Sequence, residues 1–219
     1  MKQSVKKIQP VKVVAPLFDE QTESTRALEE LACEEKVSDL RFPRTVVTKL
    51  KHPYLSINNC TFSHVVFREC ELKWGQLTDV RFENCDLSNI SFAGTTFYRV
   101  EFISCKLLGT NLSETTLNHV RMEGCSSRYI NLAMSKMRTV RFTNCDFRTG
   151  SFNDSKLLAA AFDNCELTEA DFSHTPLKGI DLRTNRIAGI QLNMADLRGA
   201  IVNPMQAMEL LPMLGVVIE

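Results

Sequence analysis

Residues 80–109 read VRFEN-CDLSN-ISFAG-TTFYR-VEFIS-CKLLG, and the third residue of every group of five is Phe or Leu. The same spacing holds from Ile57 to Val202, where twenty-nine of thirty such positions are Leu, Ile, Phe, Met or Val, and only Ser127 differs. Eleven of the thirteen Phe residues occupy this position. A sustained period of five fits neither a helix nor a strand, so this fixed short repeat predicts a solenoid.

The first residue of most groups is small or β-branched, as at Cys85, Ile90 and Thr95. Like residues recur there every twenty residues, with Val at positions 80, 100, 120 and 140. Five cysteines follow the same rule: Cys85, Cys105, Cys125, Cys145 and Cys165. We therefore predict a four-sided coil of twenty residues, with one group of five on each side and a core column of Cys beside a column of Val.

This pattern resembles the pentapeptide repeat family, whose usual group is Ala, then Asp or Asn, then Leu and two variable residues. The best matches are ADF at residues 170–172 and ADL at residues 195–197. The resemblance implies an all-β solenoid, namely a right-handed quadrilateral β-helix with short N- and C-terminal helices. It covers residues 55–202, about two thirds of the chain. It implies much less about function, because one fold can serve many functions.

The eight cysteines raise the question of disulfides or a metal site. Seven lie at the small inward position, and only Cys33 lies outside the repeat. Stacked cysteines that point inward in parallel suit packing better than the dihedral angle of a disulfide. No CxxC pair suggests zinc. The sequence therefore predicts reduced core cysteines, which favours a cytoplasmic location.

Residues 1–54 are predicted to form an N-terminal arm, a capping helix and an irregular first coil. Residues 1–17 carry four lysines and an apolar run of only three residues, too short for a secretory signal, so we expect a solvated arm. Residues 22–36 have the apolar spacing of an amphipathic helix, with Thr22 or Ser24 as its N-cap. We expect this helix to cover the end of the solenoid. Binding of a partner is the alternative.

Residues 203–219 change character and are predicted to form a C-terminal helix followed by a strand. Asn203 as N-cap, Pro204 at the first helical position and Gln206 three residues after the cap mark a helix start. Pro212 is expected to end the helix after about two turns. Gly215 then leads into an apolar strand over residues 216–218.

The tail also resembles the Qnr and MfpA proteins, the quinolone-resistance branch of the family, in its loop-less Gram-positive type. The matching positions are Pro204, Gln206, Ala207, Leu210, Leu214, Gly215, Val216, Val217 and Ile218. The resemblance implies a homodimer formed through the tail, and an exposed apolar chain end independently favours burial against a symmetric partner. The predicted interface residues are Met208, Leu211, Met213, Leu214, Val216, Val217 and Ile218.

The same resemblance implies a rod that docks on type II topoisomerases, DNA gyrase or topoisomerase IV, in place of DNA and protects them from quinolones. A DNA mimic needs an acidic surface, because DNA-binding proteins recognise backbone charge. The candidate acidic residues are Asp146, Asp163, Glu166, Glu169, Asp171, Asp181 and Asp196. Yet Lys plus Arg equals Asp plus Glu at 26 each. The alternative is therefore a protein-interaction scaffold with an unrelated partner.

Catalysis, cofactor binding and direct nucleic-acid binding are not expected. The four His residues show no metal-ligand spacing, and the sequence has no GxGxxG, phosphate loop, HExxH or GxSxG motif. A convex rod provides no enclosed pocket for a small-molecule substrate, and few aromatic side chains are available to stack nucleic-acid bases. No segment suggests a membrane partner. The predicted protein is a non-enzymatic, cytoplasmic homodimer.

Overall fold

The computed structural model describes residues 10–215, which form a parallel β-solenoid with a register of twenty residues. Phe62 pairs with Phe82, and Phe82 pairs with Phe102 in the next coil. Isolated parallel bridges continue the same register as far as Asp181 and Ile201. The predicted fold, an all-β quadrilateral solenoid, is confirmed.

The elements of secondary structure are short apart from four strands of eight residues. The strands are β1 (Thr22–Glu23), β2 (Lys36–Ser38), β3 (Leu40–Phe42), β4 (Val46–Thr48), β5 (Ser56–Ser63), β6 (Val66–Arg68), β7 (Gln76–Glu83), β8 (Thr96–Ile103), β9 (Thr116–Glu123), β10 (Lys136–Met137), β11 (Val140–Thr143), β12 (Lys156–Leu157) and β13 (Ala160–Asp163). The helices are α1 (Leu28–Ala32), α2 (Pro204–Leu210) and a 3-10 helix (Leu211–Leu214).

The four sides of the coil are named here walls 1 to 4, after the inward residue of each group of five. Each wall contains one group of five from every coil. The inward residues of one coil are Ile57 on wall 1, Phe62 on wall 2, Phe67 on wall 3 and Leu72 on wall 4, and each position recurs every twenty residues. The eight-residue strands span walls 1 and 2 together. Walls 3 and 4 are held mainly by single bridges, so walls 1 and 2 form the most regular part of the rod.

The core consists of columns of aromatic and aliphatic side chains stacked along the rod. The rings of Phe42 and Phe62, Phe62 and Phe82, and Phe82 and Phe102 lie with centroids 4.7, 4.9 and 5.1 Å apart. These distances match the spacing of neighbouring strands. Burial of each such side chain contributes roughly 1.5–3 kcal/mol, so the columns supply much of the stability.

One inward position, Ser127, interrupts the apolar series. Its side chain is fully buried, between the coils of Leu107 and Phe147. Among the described residues, neither the Ser127 hydroxyl nor the buried Nε atom of Arg128 has a hydrogen-bond partner. The phase of five continues unchanged on both sides, so the cost of this residue is local.

The corner between walls 1 and 2 changes along the rod. Asn59, Asp79, Arg99 and His119 turn this corner with left-handed backbone, at φ values between 49° and 56°. The next two coils lack such a residue at positions 139 and 159, and there the long strand divides into β10 and β11, then into β12 and β13. The unbroken eight-residue strands that turn this corner therefore run over four coils and end before residue 139.

The N-terminal end of the solenoid differs from the predicted helix over residues 22–36. Helix α1 spans only Leu28–Ala32, and its residues Leu28 and Ala32 join the hydrophobic core. Thr22 is not an N-cap, because β1 pairs with β3. Strand β2 already pairs with β5, so the coil register begins at Lys36.

The C-terminal end carries the predicted helix start at Asn203. Its side chain accepts a hydrogen bond from the backbone N–H of Gln206, and the side-chain oxygen of Gln206 accepts one from the backbone N–H of Asn203. The side-chain NH2 group of Gln206 also donates to the backbone carbonyl oxygens of Leu182 and Asn185, each at 2.7 Å, and these bonds join α2 to the last coil. Helix α2 ends at Leu210, after about two turns, as expected from Pro212, and the chain continues in the 3-10 helix. Pro212 lies in the first turn of the 3-10 helix, where its missing amide needs no partner.

Candidate interaction surfaces

The outward residues of the four walls are the candidates for binding, because the interior of the coil is filled with side chains. No group of three or more His, Cys, Asp or Glu within residues 10–215 is placed to hold a metal. Within the same residues, no helix is long and apolar enough to cross a membrane.

The predicted acidic residues are distributed over all four walls. Asp146 and Glu166 are neighbours in one column of wall 3, bridged through their backbones. The others are spread around the rod: Glu169 on wall 3, Asp171 on wall 4, Asp163 and Asp181 on wall 2, and Asp196 on wall 1. The fold brings only Asp146 and Glu166 side by side. A single acidic face is therefore not formed within one chain.

Arginines compensate the charge of four of these carboxylates. Three ion pairs are close: Asp146 with Arg148 at 2.6 Å, Asp163 with Arg141 at 2.8 Å, and Asp181 with Arg183 at 2.7 Å. A fourth pair, Glu166 with Arg186, is longer at 3.8 Å. Hydrogen bonds from their arginines lower the pKa of Asp146 and of Asp181, with partial burial opposing the effect. Asp146 and Asp181 are therefore charged at neutral pH, and each of the four carboxylates has a cationic neighbour.

Wall 1 carries a basic strip in the second half of the rod, defined as Lys136, Arg138, Lys156 and Lys178. All four side chains are exposed. Within the described part of the chain, none has a carboxylate oxygen within ion-pair distance. Wall 1 is therefore positive where walls 2 and 3 are close to neutral.

Residues 10–21, named here the wall-bound arm, lie against the corner of walls 1 and 2. The expectation of a solvated arm covers residues 1–17; it is wrong for residues 10–17, and residues 1–9 lie outside the description of the structure. The Leu17 amide donates to the Asp79 carboxylate at 2.8 Å, and the Val14 amide donates to Nδ1 of His119 at 3.2 Å. The side-chain amide of Gln21 donates to the backbone oxygen of Asn59 at 2.9 Å. The arm therefore runs along the rod, antiparallel to the order of the coils.

Two buried carboxylates lie beneath the wall-bound arm. Asp79, only 6% exposed, accepts two hydrogen bonds from Arg99 at 2.6 and 2.5 Å. Burial would raise the pKa of Asp79, but the hydrogen bonds from Arg99 and Leu17 outweigh it and lower that pKa. Glu101, 4% exposed, accepts a hydrogen bond from Arg81 at 2.9 Å.

An exposed aromatic pair lies at the corner of walls 4 and 1. Tyr54 and Trp74 are 70% and 54% exposed, and their rings stack with centroids 5.8 Å apart. A Cβ atom at Gly94 would lie 2.3 Å from Cδ1 of Trp74, so the indole rests directly on this glycine. Stacked rings with one free face are suited to contact with a partner.

The predicted dimer residues lie partly outside the description of the structure. Met208 of α2 is 49% exposed, and Leu211 and Met213 of the 3-10 helix are half-buried. The structure does not describe residues 216–218 or the side chain of Leu214. Met205, 69% exposed, adds an apolar side chain to α2 that the prediction did not include. The dimer interface thus remains a prediction.

The cysteine column lies inside the coil and is not a surface feature. Cys85, Cys105, Cys125, Cys145 and Cys165 are buried free thiols, as are Cys60 and Cys70, while Cys33 is exposed. Each column thiol approaches backbone carbonyl oxygens, as Cys125 does at 3.3 Å from the Phe102 oxygen. Burial raises the pKa of Cys60 to about 11, so that thiol is protonated at neutral pH. The thiols therefore act as packing groups.

Comparison with known proteins places this chain by its sequence pattern. The family described as "Pentapeptide repeat region" matches residues 75–142 and 135–209. No curated protein matches the chain. Among solved structures, trypsin-treated QnrB1, described as a plasmid-mediated fluoroquinolone resistance protein, is 19% identical with a TM-score of 0.37 and covers 82% of this chain and 100% of its own.

Two cyanobacterial structures are also similar. HetL from Nostoc sp. strain PCC 7120, described as involved in heterocyst differentiation regulation, is 14% identical with a TM-score of 0.31 and covers 80% of this chain and 94% of its own. Rfr23 from Cyanothece 51142 is 12% identical with a TM-score of 0.27 and covers 80% of this chain and 97% of its own. The family match spans more than half of the chain, and the chain therefore belongs to the pentapeptide repeat family.

Proposed function

We propose that this chain is a non-enzymatic scaffold that binds protein partners through the outer walls of its solenoid. The observation that carries the proposal is the uninterrupted register of twenty residues. It places outward side chains in straight columns at the spacing of neighbouring strands, about 4.8 Å. Such columns present a fixed, extended pattern of charge and apolar groups without any change in shape on binding.

Two features make the walls chemically distinct from one another. The basic strip of wall 1 offers four exposed cations, whereas the corner of walls 4 and 1 offers the Tyr54 and Trp74 rings. Aromatic and Arg side chains dominate the energy of many protein interfaces. Different walls would therefore contact different chemical groups of a partner.

Quantitative capture from cell extract would test this function with two wall variants. One variant carries Lys136→Glu and Lys156→Glu on wall 1, and the other carries Tyr54→Ser and Trp74→Ser. All four side chains are exposed, so both variants should keep the fold, which circular dichroism checks. We expect a partner that one variant loses and the other retains. Equal capture by both variants and the unaltered chain, or capture of no protein, would contradict the proposal.

The second candidate is a homodimeric, DNA-mimicking binder of type II topoisomerases, DNA gyrase or topoisomerase IV, that protects them from quinolones. The tail favours it, because α2 is firmly joined to the last coil and exposes Met205 and Met208. Burial of those side chains against a second copy would lengthen the rod across a twofold axis. Within one chain, however, the paired and scattered carboxylates argue against phosphate mimicry.

Supercoiling by purified gyrase, with and without ciprofloxacin, separates the two candidates. The topoisomerase candidate predicts rescue of supercoiling in the presence of the drug, or inhibition in its absence, as this protein is added. It also predicts that Met208→Asp abolishes the effect and gives a monomer in light scattering. Ala207→Asp is the matched control, because it adds the same charge to the same helix outside the predicted contact. If the protein has no effect on supercoiling at any concentration, the topoisomerase candidate is excluded and only the scaffold function is left.

A further inference from the structure

The wall-bound arm shows an alternation of inward and outward side chains. Pro16 is buried, and Val11, Val13 and Phe18 are half-buried against the rod. Leu17 between them is 61% exposed. This is the pattern of an extended peptide that lies on a surface and presents every second or third side chain to it. The apolar series is therefore Val, Val, Pro and Phe at residues 11, 13, 16 and 18.

The wall binds the main chain of the arm through side chains of the solenoid. The Asp79 side chain accepts a hydrogen bond from the Leu17 amide, and the His119 side chain accepts one from the Val14 amide. Arg141 donates to the carbonyl oxygen of Val11 at 3.3 Å. Asp79 and His119 are two coils apart, which corresponds to about 10 Å. Three residues of extended chain also span about 10 Å, so the distance between the Val14 and Leu17 amides matches the distance between His119 and Asp79.

The receptor groups are held in place by contacts within the solenoid. Arg99 fixes both oxygens of Asp79 and packs over the Tyr98 ring at 4.3 Å from its centroid. Glu101 orients Arg81, whose guanidinium lies 5.3 Å from the centre of the Phe18 ring. Both partners of each ion pair belong to the solenoid, so the wall keeps its binding geometry when the arm leaves.

The arm can leave without opening the coil. Among the described residues, no backbone-to-backbone hydrogen bond joins residues 10–21 to the rod, and the first one runs from Thr22 to Asp39 at 3.0 Å. All polar contacts of the arm therefore involve at least one side chain. The strand ladder of the solenoid begins only after it.

We propose that the corner of walls 1 and 2 is a recognition site for an extended peptide and that the arm is its resident ligand. The partner is a protein segment with two β-branched residues, a proline and an aromatic residue at the spacing of Val11, Val13, Pro16 and Phe18. Such a partner reaches the wall by displacing the arm. This inference rests on the proposed scaffold function and names the class of partner for one of its walls.

The test uses the full chain with Phe18→Asp, which weakens the arm and leaves every wall residue unchanged. A fluorescent peptide of residues 10–21, PVKVVAPLFDEQ, is titrated with this variant and with the unaltered chain. We expect the peptide to bind the variant at least tenfold more tightly, because the unaltered chain's own arm competes. Leu17→Asp is the matched control, since that side chain points to solvent and its arm should still compete.

Three further measurements define the site. A peptide with the Phe18→Asp substitution should bind at least tenfold more weakly, and adding Asp79→Ala to the Phe18→Asp chain should reduce binding of the unaltered peptide. Hydrogen exchange should show the amides of Val14 and Leu17 protected in the unaltered chain and exposed in Phe18→Asp. Equal binding to all chains, no binding, or amides that stay protected in Phe18→Asp would overturn the proposal. Because the probe is the chain's own sequence, this result is independent of the capture experiment.

Discussion

Replacement of Ser127 by alanine should stabilise this protein, although it removes a polar group from a buried site. The Ser127 hydroxyl is fully buried and has no hydrogen-bond partner among the described residues. A buried hydroxyl without a partner costs about 1–3 kcal/mol. Alanine removes this cost and leaves a void of one oxygen atom, which costs only a few tenths of a kcal/mol at about 24 cal/mol per Å³. The expected net gain is about 1–2 kcal/mol.

Ser135 provides the matched control, because it is equally buried but fully bonded. Its hydroxyl donates to the Leu112 carbonyl oxygen at 2.9 Å and lies 3.0 Å from the Thr115 hydroxyl. Ser135→Ala should therefore cost about 1 kcal/mol, the typical net contribution of a hydrogen bond. The same chemical change is thus expected to have opposite signs at two positions eight residues apart.

Urea denaturation followed by circular dichroism measures both changes. The midpoint should rise for Ser127→Ala and fall for Ser135→Ala, with the same slope in each case. Thermal midpoints should move in the same directions by about 2–4 °C per kcal/mol for a chain of this size. If Ser127→Ala loses as much stability as Ser135→Ala, the Ser127 hydroxyl must have a partner, and the reasoning fails.

Three other changes probe the core, a close backbone contact and the arm. Phe102→Asp should abolish folding, measured by circular dichroism, because burial of a carboxyl adds to the loss of about 3–5 kcal/mol for the ring. Gly75→Ala should lower the free energy of unfolding, measured by urea denaturation, by about 1–3 kcal/mol, since its Cβ would lie 2.6 Å from the Leu55 carbonyl oxygen. The pKa of Asp79 is lowered in the folded protein. The stabilisation by its charged form is therefore complete above the ordinary carboxyl pKa and is lost as the pH falls from there through the lowered pKa of the folded state. Hydrogen exchange at the Leu17 amide should therefore show the arm released in acid but held at neutral pH. An arm amide that stays protected at the lowest pH would contradict the role of Asp79.

The coil was predictable from sequence because its core residues recur at one phase. Position 102 and its equivalents must fill the same space in each coil, so the physical constraint repeats and becomes visible as a period. The start of α2 was predictable for a different reason. Asn203, Pro204 and Gln206 form a local motif whose hydrogen bonds need no distant partner.

The wall-bound arm was not predictable in the same way, because its contacts join residues far apart in the sequence. Leu17 meets Asp79 and Val14 meets His119, and neither pair leaves a local signal. The apolar residues at positions 11, 13, 16 and 18 were the available sign, but an extended peptide needs a surface before that pattern has meaning. Thr22 was placed in a helix for a related reason, since its pairing with Leu40 depends on the fold.

The twenty-residue register fixes direction around the rod as well as length along it. Each group of five carries the chain across one wall, so an insertion of five residues between the arm and α2 would rotate α2 by a quarter turn about the rod axis. An insertion of twenty would keep its bearing and lengthen the rod by about 4.8 Å. The unbroken phase from Ile57 to Val202 thus sets the angle between the two ends of the molecule. Relatives that differ by whole coils would present both ends to a partner at the same azimuth, whereas a single added group would turn one of them away.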